Sequence, residues 1–134
     1  MATYREFEAF VKANYPVRKN PKDAPKGFMC LEVPCPNDRS HVVFVHPGAK
    51  IDKFGEFADV VAMFGSLSGS KLDKALEAAM AMPLGGLVKI HDVLALRHSI
   101  PLADIDESEI RKALLFTAMS ADILEAKFVG GDKF

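Results

Sequence analysis

Two cysteines and two histidines in the first half of the sequence are the first candidates for chemistry. Cys30, Cys35, His41 and His46 are residue types that bind a structural zinc ion. To share one ion, they would have to converge from a strand, a loop and both ends of another strand, whose side chains alternate between two faces. We therefore interpret them as small buried thiols and strand-end histidines, and we expect no metal.

A cysteine nucleophile is the second candidate. Cys35, His91 and Asp92 are the residue types of a nucleophile with its base and an orienting carboxylate. No recognised nucleophile motif surrounds Cys35, and the sequence does not specify contacts among the three. His98 lies on the apolar face of a predicted strand, where a core histidine with a hydrogen-bond partner is the simpler interpretation. A small-ligand-binding or hydrolytic domain using Cys35, His91 and His98 stays open as the alternative function.

The glycine- and serine-rich segment before Leu72 resembles a phosphate-binding loop only superficially. The segment GSLSGSK, residues 65–71, lacks the spacing of that motif, and Leu72 stands where a serine or threonine would hold magnesium. A turn followed by a helix start explains it better. We expect no cofactor.

Composition indicates one globular domain over residues 1–134. Apolar residues make up 49% and charged residues 26%, and Lys+Arg 17 nearly balances Asp+Glu 18. This balance gives no general attraction for nucleic acid. No apolar run is long enough to cross a membrane, and the N-terminus lacks the apolar core of a signal peptide. We expect a cytoplasmic protein with reduced thiols.

Three helices are predicted from caps and apolar spacing. Thr3 and Glu6 form a capping box, and Pro16 ends the helix that follows. A second stripe, which consists of Leu72, Ala75, Leu76, Ala79 and Met80, predicts a helix that residues 83–86 end. Asp106 can cap a third helix with a stripe from Ile110 to Phe128, ended by Gly130 and Gly131. Residues 16–27 are predicted to be a solvated connector.

Short apolar runs bounded by turn residues predict strands. The runs are 28–33, 41–46, 87–90 and 94–100, the last two forming a hairpin. Residues 57–67 fit either a helix or a strand, and periodicity does not decide between them. In the run 41–46, Val42 and Phe44 point to one face while Val43 and Val45 point to the other, so both faces of this strand are apolar.

The second half of the chain resembles the YbjN family and related proteins that share the fold of type III secretion chaperones. The residues that carry the resemblance are Leu72–Met80, Met82–Gly86, Leu94–Leu102, Asp104–Asp106, Ala121, Asp122, Leu124, Glu125 and Gly130–Phe134. The resemblance implies an α+β domain in the order α-β-β-β-α-β-β-α, with a five-stranded antiparallel sheet and a strand at 57–67. It implies no catalytic residues, and family members with known roles are regulators or chaperones of secreted partners.

A sheet that is apolar on both faces indicates a binding function. Helices cover one face, and an apolar patch left on the other usually marks an interface. We expect a non-enzymatic protein-binding domain, in which Val43, Val45, Val61 and Met63 contact a second copy of the chain or a captured apolar segment of another protein. A charged residue at Val43 or Val61 is then expected to disturb association and not folding.

Overall fold

The computed structural model of the chain describes residues 2–20, 22, 24, 26–82 and 86–130. Its elements in chain order are α1 (Tyr4–Asn14), β1 (Val17–Arg18), β2 (Met29–Cys35), β3 (Arg39–Ile51), β4 (Gly55–Gly65), α2 (Gly69–Ala79), β5 (Gly86–Ile90), β6 (Val93–Pro101), α3 (Glu107–Leu124) and a π-helical turn (Glu125–Val129). All strand pairs in this part of the chain are antiparallel, and they form one sheet in the order β1-β2-β3-β4-β6-β5. The α+β class is confirmed.

The main core lies between one face of the sheet and the helices. Helix α3 contacts β2, β3, β4 and β6, and α1 contacts β4. Leu72 and Ala78 of α2 pack on the same core. Because strand side chains alternate in direction, Val43 and Val45 of β3 both point into it and are fully buried. Each such side chain stabilises the fold by about 1.5–3 kcal/mol.

Two predicted helix starts are confirmed by their hydrogen bonds. The hydroxyl of Thr3 accepts from the backbone N–H of Glu6 at 3.2 Å. The carboxylate of Asp106 accepts from the N–H of Glu109 at 2.8 Å, and the carboxylate of Glu109 accepts from the N–H of Asp106 at 3.1 Å. These bonds satisfy N–H groups that the start of a helix leaves unpaired.

Residues 57–67, which periodicity alone left open, belong almost entirely to strand β4. Every residue from Ala58 to Gly65 is buried. A strand that is covered on both faces lacks the alternation of apolar and polar residues, so its sequence resembles that of a buried helix. The predicted hairpin is also confirmed, because β5 pairs with β6 and the turn between them consists of His91 and Asp92.

The sheet contains six strands among the described residues, where five were predicted. The additional strand is β1, in the segment predicted to be a connector. Val17 pairs with Leu31, and the N–H of Glu32 donates to the carbonyl of Pro16 at 3.0 Å. Both residues of β1 are exposed. Backbone pairing and an Arg18–Glu32 ion pair hold this strand, so no apolar pattern marks it in the sequence.

Strand β3 continues through Pro47 and Gly48, the turn residues that bound the predicted run 41–46. The register between β3 and β4 shifts between Pro47 and Lys50. This shift is a β-bulge, and it accommodates Pro47, which has no backbone N–H to donate. A Cβ atom on Gly48 would lie 2.9 Å from Oδ1 of Asp59 on β4. The close approach of the two strands at this point therefore requires glycine.

The last helix ends as predicted at Gly130. The α-helical hydrogen bonds stop at Leu124, and the N–H of Gly130 donates to the carbonyl of Glu125 at 2.8 Å, five residues back. Gly130 has φ +77°, a left-handed conformation that glycine adopts without strain. Gly131, and the residues 83 and 85 predicted to end α2, lie outside the described residues.

Two further predictions concern thiols and membranes. Cys30 and Cys35 are both buried and free of any disulfide. Across the described ranges, no helix combines the length and the apolar character that a membrane span needs.

Candidate functional site

The four residues predicted to contact a partner lie on opposite faces of the sheet. Val43 and Val45 are 0% exposed beneath the helices, whereas Val61 and Met63, at 1% and 8%, are on the other face. None of the four presents surface to a partner in the folded chain. Their role in binding stays a prediction, and it requires the residues that cover them to move.

A second, smaller apolar cluster fills the middle of the face that the helices leave open. Its buried members are Cys30, Phe44, Val61, Met63 and Ala95. The Phe28 ring, just before β2, stacks on His46 with ring centroids 4.2 Å apart and lies 5.9 Å from the Phe44 ring. The centre of this face is therefore closed within the chain itself, and the large exposed patch expected there is absent from the described residues.

A buried carboxylate with two basic neighbours lies beside this cluster. Nη2 of Arg97 donates to Oδ2 of Asp59 at 3.0 Å, and Nε2 of His46 lies 3.4 Å from the same oxygen. Asp59 is only 4% exposed, so its charge would be costly without such partners. The Arg97 side chain is 45% exposed and stays hydrated while it pairs. This group gives the open face a polar border.

Among the described residues, exposed apolar side chains occur in pairs at two places that were not predicted to be exposed. Ile51 and Phe54, at the tip of the β3–β4 hairpin, are 46% and 64% exposed. Leu76 and Met80, one turn apart at the end of α2, are 49% and 90% exposed. The stripe on α2 was predicted to face the core, but of this stripe only Ala75 is buried. Leu72 and Ala79 are half-buried, so the core-facing side of α2 is narrower than the stripe, and Leu76 and Met80 lie outside it.

The α2 surface is next to a free edge of the sheet. Helix α2 packs against β5, and within the described sheet β5 pairs only with β6. In a hairpin with a two-residue turn, the residues flanking the turn bond each other, and the pattern alternates along the strand. Ile90 and Val88 therefore direct their backbone groups to β6, whereas Lys89 and Leu87 direct theirs outward. A row of unpaired backbone groups is a template for another strand.

The side chains of the proposed hydrolytic alternative do not come together. Cys35 is on β2 and His98 on β6, and two strands separate them, which corresponds to at least about 14 Å. His91 is at the hairpin turn, seven residues from His98 along the chain. Burial, and secondarily the charge of Asp122, raises the pKa of the Cys35 thiol to about 11. Such a thiol is a poor nucleophile near neutral pH.

The four residues of the zinc hypothesis are likewise divided between faces. Cys35 belongs to the helix-covered core and Cys30 to the cluster on the open face. His41 has the strand parity of Val43 and Val45, so it points toward the helices, while His46 stacks on Phe28 over the open face. The expectation that these four do not form one zinc site agrees with this division.

His98 borders a groove of about 430 Å³ between the end of β6 and the first half of α3. Ile105 and Phe116 supply apolar lining, and Glu109 and Lys112 line it with opposite charges. Burial lowers the pKa of His98, which favours the neutral ring. The groove mixes both signs of charge over an apolar base, so its lining selects no particular ligand.

A buried polar cluster lies where the end of α3 meets the start of β3. Nε and Nη2 of Arg39 donate to the two carboxylate oxygens of Asp122, each at 2.8 Å. Nδ1 of His41 lies 3.8 Å from Oδ1 of Asp122, and Glu125 is 0% exposed beside them. Arg39 holds the pKa of Asp122 below its usual range. Sequence reasoning assigned no functional role to Asp122 or Glu125. Their three-residue spacing in an apolar helix was the feature that could have indicated a buried polar cluster.

Compared with known proteins, the chain matches no family model, no curated protein and no solved structure.

Proposed function

We propose that the chain is a protein-binding domain, chaperone-like or regulatory, that works as a homodimer joined at the β5 edge of the sheet. The observation that carries this proposal is an edge strand that pairs on one side only within the described sheet, next to a helix that exposes Leu76 and Met80. The proposal keeps the function expected from the sequence and moves its surface from the sheet face to the sheet edge.

Backbone pairing is the first contribution to such a dimer. Two β5 strands related by a two-fold axis run antiparallel, so the outward groups of Lys89 and Leu87 in each copy meet acceptors and donors of the other. The sheet of six strands then continues into a second sheet of six. An edge that is used in this way is also protected from uncontrolled pairing.

Burial of α2 side chains is the second contribution. Completely burying a leucine or methionine side chain in the interface stabilises the dimer by about 1.5–3 kcal/mol. In a two-fold interface, each copy contributes its own Leu76 and Met80. Association costs roughly 4–15 kcal/mol in lost translational and rotational freedom, so the free energy of apolar burial alone only balances this cost. Strand pairing and apolar contact are therefore both needed for a stable dimer.

The same edge accommodates an extended apolar segment of another protein. A partner strand would gain main-chain hydrogen bonds from β5 and side-chain contacts from α2, which is the usual division between affinity and specificity in strand addition. Such a partner competes with the second copy. The small-ligand or hydrolytic alternative has weaker support, because Cys35, His91 and His98 lie apart.

Sedimentation velocity over a wide range of chain concentration tests the dimer. We expect Leu76→Asp and Met80→Asp each to weaken dimerisation at least about tenfold, or about 1.4 kcal/mol. Lys89→Pro should do the same by removing an outward donor that β6 does not use. Circular dichroism checks that each variant folds.

Ile123→Asp is the matched control, because Ile123 on α3 is 45% exposed, close to the 49% of Leu76. This control is expected to dimerise like the unmodified chain. A chain that stays monomeric at every concentration contradicts the proposal. A dimer that Ile123→Asp weakens as much as Leu76→Asp also contradicts it.

A further inference from the structure

We propose that His41, Asp122 and Glu125 form a buried binding site for one divalent transition-metal ion, with zinc as the best match. Each residue offers one ligand atom, and these three atoms lie within 4.8 Å of one another. Atoms so arranged share a central point no more than about 2.8 Å from each, and a small contraction brings them to the roughly 2.0–2.2 Å of zinc–nitrogen and zinc–oxygen bonds. The site is independent of the proposed dimer.

The orientation of the His41 ring is the observation that distinguishes this cluster from a group of acids. Nε2 lies 2.7 Å from the carbonyl oxygen of Met63, which only accepts, so Nε2 carries a hydrogen and donates it. In the neutral ring, Nδ1 then has its lone pair directed toward the carboxylates. Metal-binding histidines almost always donate their other nitrogen to a carbonyl or carboxylate in this way.

The distance between His41 and Asp122 fits two ligands of one ion. Nδ1 of His41 and Oδ1 of Asp122 are 3.8 Å apart. This exceeds the roughly 2.7–3.2 Å of an N–H···O hydrogen bond. Two ligand atoms about 2.1 Å from a tetrahedral zinc ion lie about 3.4 Å apart. The two side chains interact directly as an ion pair when His41 is protonated, and with the neutral ring their spacing also admits a shared ion.

Asp122 and Glu125 are held in place by their surroundings. The two hydrogen bonds from Arg39 fix the Asp122 carboxylate, as partners of ligating carboxylates commonly do. Glu125 begins the π-helical turn, a rare geometry that is frequent at functional sites. It lies three residues after Asp122, so the two side chains share one side of the helix.

The donor set indicates the class of ion. Sites for magnesium and calcium consist of oxygen ligands, whereas an imidazole favours zinc and neighbouring transition metals. One nitrogen and two carboxylate oxygens leave a fourth position of a tetrahedral ion for water or another ligand. Complete burial of His41 and Glu125 favours a structural role, in which the ion joins β3 to the end of α3.

Calorimetric titration of the chelator-treated full chain with Zn²⁺ tests the site, and the intensity of the visible absorption of bound Co²⁺ reports its coordination number. We expect one ion per chain and a higher melting temperature in its presence. His41→Gln keeps an amide donor for the Met63 carbonyl and Glu125→Gln keeps the side-chain volume. Each should weaken Zn²⁺ binding at least about tenfold.

His46→Gln is the matched control, because His46 is on the same strand but on the other face. It should bind Zn²⁺ like the unmodified chain. The proposal is overturned if the unmodified chain takes up no Zn²⁺, or if His41→Gln and Glu125→Gln bind as tightly as His46→Gln; the cluster is then an ion-pair network. Should both variants fail to fold, the Co²⁺ spectrum of the unmodified chain decides, and the weak absorption of a six-coordinate, water-like ion overturns the site.

Discussion

Arg39 and Asp122 are joined by two parallel hydrogen bonds of 2.8 Å, from Nε to Oδ2 and from Nη2 to Oδ1. The pair connects the start of β3 to the last turns of α3, across 83 residues of sequence. A planar guanidinium matches a carboxylate in this two-bond geometry, which fixes orientation as well as distance. The helix layer is therefore tied to the sheet at this end by a directional contact in addition to apolar packing.

Loss of this link should destabilise the fold measurably. We expect Arg39→Met to lower the free energy of unfolding by roughly 1–3 kcal/mol, because it leaves Asp122 without its strongest partner. Asp122 is 12% exposed but Arg39 is 39% exposed, so solvent screening keeps the loss below that of a fully buried pair. Urea denaturation followed by circular dichroism measures it.

Arg18→Met is the control for that measurement. Arg18 pairs with Glu32 on β2, and their side chains are 55% and 28% exposed. An ion pair so open to water contributes at most about 1 kcal/mol. If Arg39→Met and Arg18→Met lower the free energy of unfolding equally, the contact between Arg39 and α3 has no special role in stability.

Local signals in the sequence were sufficient for most of the fold. The capping residues Thr3 and Asp106 bond within four residues of themselves, so their partners are visible in the sequence. The hairpin was predicted for the same reason, since a short turn joins its strands. Resemblance was needed only for β4, where burial on both faces removes the alternation that identifies a strand.

Contacts across the chain were not predictable in this way. Nothing near Arg39 indicates that it meets Asp122, because the contact depends on how α3 lies over the sheet. The exposure of Leu76 was missed because a stripe of apolar residues does not say which of its members reach the core. Strand β1 was missed because both of its residues are exposed, so no apolar pattern marks it.

Charged residues in the two apolar clusters should unfold the chain, which revises the effect expected from the sequence. Val43 and Val61 are 0% and 1% exposed. An unpaired carboxylate has no compensation at either position, so we expect Val43→Asp and Val61→Asp each to destabilise by more than about 4 kcal/mol. Thermal denaturation of both variants measures this, with Ile123→Asp as the exposed control that keeps its melting temperature. If Val61→Asp folds and its association changes, the face of the sheet that the helices leave open is the interface, as expected from the sequence.

Protonation of His98 should make stability depend on pH. Burial lowers the pKa of His98 below its ordinary value of 6.5, so the unfolded chain binds this proton more readily than the folded chain. The free energy of unfolding should therefore fall as the pH decreases from about 6.5 toward the folded-state pKa. We expect His98→Gln to show a weaker decrease over this window in urea denaturation at a series of pH values.

His91→Gln is the comparison for the pH series. His91 is exposed at the β5–β6 turn, so its replacement should leave the pH dependence of the unmodified chain in place. If His98→Gln keeps the full decrease, another group is responsible.

Both thiols should be unreactive in the folded chain. Burial raises the pKa of Cys30 as well as that of Cys35, and only a thiolate reacts efficiently with a disulfide reagent. We expect both cysteines to label with an aromatic disulfide reagent far more slowly in buffer than in denaturant, where both react; Cys30→Ala and Cys35→Ala assign each rate. Cys35→Ala should also dimerise normally. Rapid labelling of Cys35 in the native chain, or an enzymatic turnover that disappears in Cys35→Ala, would favour the hydrolytic alternative over the binding domain.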